Sequence, residues 1–104
     1  MKKIDAIILN KNDNVATSLK KLNPKENIVV KIEDRFMKFT LEDSINRFHK
    51  FSLKIIKKGE KVFKYGEVIG IATKDIKKGK HVHIDNIERN LMNQNGMLLK
   101  KSRW

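Results

Sequence analysis

Apolar residues along the chain fall into short clusters separated by turn formers, with no long apolar run. The first cluster, Ala6-Ile7-Ile8-Leu9, predicts a strand that ends in Asn10-Lys11-Asn12-Asp13. Over 13–22 the spacing changes. Val15, Leu19 and Leu22 recur at helical intervals, Asp13 or Asn14 is placed to cap the first turn, and Pro24 stops the run. A short helix is expected there.

Beyond Pro24 the spacing shortens again. Ile28–Ile32 and Phe36–Leu41 read as two strands around a break at Glu33-Asp34-Arg35, and Glu42–Asn46 as a turn of helix. Phe51-Ser52-Leu53-Lys54-Ile55 alternates apolar and polar residues, the mark of a half-buried strand. Ile56-Lys57-Lys58-Gly59-Glu60-Lys61-Val62 then returns twenty residues later as Ile76-Lys77-Lys78-Gly79-Lys80-His81-Val82. Two copies do not make a solenoid; they predict two similar strand–turn–strand corners in which glycine supplies a positive φ. Tyr65–Gly70 forms a third turn between them. The last stretch, 88–104, is polar and basic, and reads as an extension with a short helix around Ile87–Met92 or a loose tail, with Trp104 on a surface.

The chain has 104 residues, 39% hydrophobic and 35% charged, which suits one domain with a modest core, placed at 1–87. With no cysteine, disulfides, thiolate nucleophiles and cysteine-ligated metals are excluded. The basic start is not followed by an apolar run of signal-peptide or membrane-spanning length, so a cytoplasmic chain without a membrane partner is expected. Net charge is +12, and 50–80 alone holds ten lysines against three acidic residues. That excess favours anionic partners: carboxylate substrates, an acidic protein surface, an anionic lipid surface or nucleic acid; lysines on solvated strand faces are the alternative. No phosphate-binding glycine loop, nucleophile elbow or His-Glu-x-x-His motif is present.

One succession of residues carries a family resemblance. His49-Lys50, Ile55 to Glu60, Val62, Lys64-Tyr65-Gly66-Glu67, Ile69-Gly70, Ala72-Thr73, Asp75-Ile76, Gly79, His81-Val82-His83 and Asn86 stand in order. Together they closely resemble the SAF domain of the altronate/galactarate dehydratase family, strongly over 49–87 and more loosely over 5–22. The resemblance implies a mainly β, single β-clip domain with one or two short helices. It also implies an accessory small subunit of a carbon–oxygen lyase (hydro-lyase), inactive alone, docked on a large catalytic subunit with a sugar acid at the interface. A divalent metal, iron in the better-known family members, is implied for the assembled enzyme, although no cofactor is assigned to this chain. Two positions depart from the family pattern: Asp85 stands where a further histidine is usual, and Phe48 where glycine is usual.

The site candidates follow from the same residues. On a strand His81 and His83 point to one face, and Asp85 extends the row, giving nitrogen and oxygen donors for a proton relay or weak candidates for a metal. A solvated polar face is the alternative. His49 and Lys50 are the second pair, able to shuttle a proton and to meet a carboxylate, though neighbours on a strand face opposite ways. Lys64, Tyr65 and Asn86 are candidates for binding substrate. Competing readings are a self-associating module that pairs through exposed strand edges, and a nucleic-acid binder with Phe36, Phe39, Phe48, Phe51, Phe63 and Tyr65 as stacking platforms. The alternation of these aromatics with other apolar residues argues against the latter.

Overall fold

A computed structural model describes residues 3–83 and 85–88. Among the described residues nine strands follow one another: β1 Ala6–Ile8, β2 Val15–Ser18, β3 Asn27–Ile32, β4 Arg35–Thr40, β5 Lys50–Ser52, β6 Lys61–Lys64, β7 Glu67–Ala72, β8 His81–Val82 and β9 Ile87–Glu88. They form a six-stranded sheet in the order β4-β3-β1-β2-β5-β8 and a three-stranded sheet in the order β6-β7-β9. All pairings are antiparallel except β1 with β3.

The molecule is mainly β, as the sequence predicts, and no helix is present among the described residues. The helix expected over 13–22 is instead the strand β2, and all four of its residues are buried. The reason is tertiary. Strand β2 is paired on both sides, by β1 and β5, and sends alternate side chains into two different cores. A helix would have served one. Residues 42–46 form a bend rather than a helical turn, and Ile45 bridges Leu22. The strand expected over Phe51–Ile55 ends at Ser52, leaving Ile55 exposed. Of the helix placed around Ile87–Met92, Ile87 and Glu88 are strand, and the rest lies outside the described residues, as does Trp104.

Four turns organise the fold. In 23–26, 46–49, 57–60 and 77–80 the fourth residue donates its N–H to the first residue's carbonyl, at 3.2, 3.0, 2.9 and 3.1 Å. The third residue has positive φ in each: Lys25 at 63°, Phe48 at 66°, Gly59 at 90° and Gly79 at 83°. That is the signature of a type II turn, and Pro24 occupies the second position that proline favours. The turns dock reciprocally. Turn 23–26 clamps Leu41 while turn 46–49 clamps Ser18; turn 57–60 clamps Ala72 while turn 77–80 clamps Ser52. The residues entering the turns pair likewise, Leu22 with Ile45 and Ile56 with Ile76, each pair exchanging both backbone hydrogen bonds. The chain is therefore built from two similar halves, each with an internal two-fold relation.

The fold has two cores, to both of which β2 contributes. Phe51, Leu22, Ile28, Leu41 and Ile45 lie in the first, and Val15, Ile56, Val62, Ile76 and Val82 in the second. Phe39 and Phe51 are buried with ring centroids 5.5 Å apart, which removes them as stacking platforms.

Candidate functional site

The site forms where the two halves meet. Strand β5 lies between β2 and β8, with Lys50 opposite Thr17 and Val82, and Phe51 opposite Ala16 and His81. Directly opposed residues share a face, so His81 leaves one face and Lys50 the other. His49, one residue before Lys50, joins His81: its Nδ1 lies 2.9 Å from His81 Nε2. His83 completes a group of three near-parallel imidazoles. The centroids are 5.1 Å apart for His49 and His81, 4.9 Å for His49 and His83, and 5.4 Å for His81 and His83. These are all the histidines of the chain.

The charge of Lys50 acts on two of them. Lys50 is only 6% exposed, and its burial, aided by the charge of Lys64, lowers its pKa to about 8. Burial also lowers the proton affinity of His81, with the His49 and Lys50 charges adding to the effect and Asp85 and Asp43 opposing it. For His83, burial leads again, followed by Lys50, His49 and His81, with Asp85 opposing. Lys64 Nζ stands 4.8 Å above the Tyr65 ring, and the Tyr65 hydroxyl donates to Thr17 Oγ1 at 3.4 Å. His49, Lys50, Lys64, Tyr65, His81 and His83, drawn from three separate stretches of sequence, are thus gathered around β5.

Asn86 has a different task. Its amide nitrogen donates to the His81 carbonyl at 2.7 Å, its amide oxygen accepts the His83 N–H at 2.9 Å, and the side chain is buried. It ties His81, in β8, to His83, in the bend that follows. Asp85 is exposed and acts on His81 and His83 through its charge. Two contributors carry no signal in the sequence. Thr17 reaches the site only because β2 pairs with β5. Asp43, in a bend, accepts the His81 N–H at 3.0 Å and lies 3.4 Å from Lys80 Nζ.

The cluster can bind an anion and move protons: neutral imidazoles accept them near neutrality, and the lysines attract a carboxylate. Metal is another matter. Among the described residues no three histidine, aspartate or glutamate side chains are arranged to hold an ion, and His49 and His81 turn one nitrogen each toward the other. No helix among the described residues is long and apolar enough to cross a membrane.

Comparison with known proteins points in one direction. The sequence profile of the altronate/galactarate dehydratase SAF domain matches residues 4–90. Altronate dehydratase of Bacillus subtilis is 34% identical over 85 residues, covering 82% of this chain and 16% of that protein. Altronate dehydratase of Escherichia coli is 43% identical over 79 residues, 76% of this chain and 15% of that one. The alpha subunit of (2R)-sulfolactate sulfo-lyase from Chromohalobacter salexigens is 34% identical over 56 residues, 54% of this chain and 60% of the subunit. The chain therefore spans only a small part of the length of the two dehydratases.

Proposed function

The chain belongs to the altronate/galactarate dehydratase SAF-domain family, and from that premise we propose that it is the accessory small subunit of a sugar-acid dehydratase. Its histidine–lysine cluster then forms one wall of an active site that a separate large polypeptide completes, in the cytoplasm. The observation that carries this reading is the convergence of all three histidines beside β5, with the Lys50 charge acting on His81 and His83 and the Lys64 charge acting on Lys50. Such a gathering is not required for a β fold of this kind to close.

Elimination of water from a polyhydroxy acid takes a proton from the carbon next to the carboxylate and delivers one to the departing hydroxyl. Imidazoles held below the ordinary histidine pKa are mostly neutral at pH 7 and so able to accept the first proton. The protonated ring then sits beside a second imidazole that can pass the proton on. Lys50 and Lys64 supply charge for the carboxylate, and binding an anion raises the proton affinity of Lys50 again. The small share of the dehydratases that the chain covers, and a relative that is itself named as one subunit, support this reading.

The test is the double substitution His81→Ala with His83→Ala, assayed in the complex with the large polypeptide. Loss of an acid–base pair should lower kcat by roughly 100-fold or more, with the thermal unfolding of the chain little changed. Full activity in that complex would remove the cluster from the reaction.

A further inference from the structure

Two aromatic side chains at this site are not needed by the fold. Phe48 and Tyr65 have φ of 66° and 55°, a region unfavourable for bulky residues. At the equivalent turn position Gly59 and Gly79 adopt positive φ without that cost, so the geometry of the turn alone would favour glycine at position 48. Nor does burial explain the choice, since Phe48 remains 59% exposed and Tyr65 43%. Each has a cation over its ring: the Arg47 guanidinium 4.5 Å from the Phe48 centroid, and the Lys64 ammonium 4.8 Å from that of Tyr65.

Both residues are tied to the end of β2. The Phe48 N–H donates to the Ser18 carbonyl at 2.9 Å, and the Tyr65 hydroxyl to Thr17, the preceding residue of β2. Phe48 is next in sequence to His49, and Tyr65 to Lys64. Both aromatics are thus next in sequence to residues of the site, and backbone strain of this kind persists where function offsets it.

We propose that Phe48 and Tyr65, with the cations Arg47 and Lys64 over their rings, form the contact through which the large catalytic polypeptide seats over the histidine–lysine cluster. This rests on the subunit reading above. Exposed aromatics and arginine are the residue types that dominate binding energy at protein interfaces, and on docking the two rings leave water. The partner surface is correspondingly an apolar pocket rimmed by aspartate and glutamate, which complements the two cations and the +12 chain.

The experiment uses the tagged full chain expressed in its own cells, with the co-purifying dehydratase-type large polypeptide identified by mass spectrometry and quantified per mole of tagged chain. Phe48→Gly relieves the strained φ and removes the ring. It should raise the thermal midpoint of the isolated chain by about 4–8 °C while lowering recovery of the large polypeptide at least tenfold. Phe48→Ala keeps the strain and should lower recovery without the gain in stability. Phe36→Ala, on β4 four strands from β5, should change recovery little. Undiminished recovery with Phe48→Gly and Phe48→Ala would overturn the proposed contact while leaving the subunit reading standing. A wild-type chain that recovers no such polypeptide would overturn both.

Discussion

Lys50 pays a cost in the isolated chain. Its burial between β2 and β8 and the nearby Lys64 charge place its pKa at about 8, against an ordinary 10.5. At pH 7 the folded chain must keep an ammonium away from water that the unfolded chain leaves solvated. Between about pH 8 and 10.5 the folded form sheds this proton first, so the unfolded form binds more protons and stability rises with pH. Lys50→Met should therefore be more stable than the wild type at pH 7 by about 1–3 kcal/mol, with the difference shrinking toward pH 10.5. Urea unfolding at pH 7, 9 and 10 measures it. A constant difference would mean that Lys50 is not the group titrating. At this same scale some of the site was legible in the sequence: the spacing of His81 and His83 brings their rings together, at 5.4 Å between centroids, although β8 ends at Val82 and His83 lies in the bend beyond it. Asp13 and Asn14 were legible in chemistry but not in place. Their side chains do satisfy backbone N–H groups, as caps would, but those of Tyr65 and Gly66 for Asp13 and of Phe63 for Asn14, about fifty residues away. Local spacing carries no information about a partner so distant.

Among the elements, the four docked turns differ in what they tolerate. A methyl group on Gly59 would meet open space, so Gly59→Ala pays only for its φ of 90°, about 1–2 kcal/mol. At Gly79 a Cβ would stand 3.1 Å from both the Glu42 nitrogen and the Thr40 carbonyl oxygen, backbone atoms that cannot swing aside. Gly79→Ala should cost at least about 1 kcal/mol more than Gly59→Ala, because crowding adds to strain. Chemical denaturation of the two variants compares them, and equal losses would contradict the close docking of turn 77–80. The repeat that exposed these two turns in the sequence was readable because both use glycine. Turns 23–26 and 46–49 have the same geometry but place Lys25 and Phe48 at the positive-φ position, which hides the relation. Strand β2 was misread for a related reason, since Val15, Leu19 and Leu22 fit helical spacing while the pairing of β2 with β1 and β5 decides the outcome.

Over the whole molecule, the two cores are not independent units. Val15 and Ala16, adjacent in β2, enter different cores, as do Phe51 of β5 and Val82 of β8. Neither half can separate without unpairing the shared strands, so unfolding should be one cooperative transition. Amide hydrogen exchange tests this at two buried bridges, Leu22 N–H on the Ile45 carbonyl and Ile56 N–H on that of Ile76. Both should report the same opening free energy, and a clear difference would show one half opening alone. The gathering of every histidine at the junction of these halves also makes the chain its own spectroscopic probe. Its imidazole carbon-bound protons give six resonances, two from each ring, and all of them report on the occupancy, ionisation and docking of this one place.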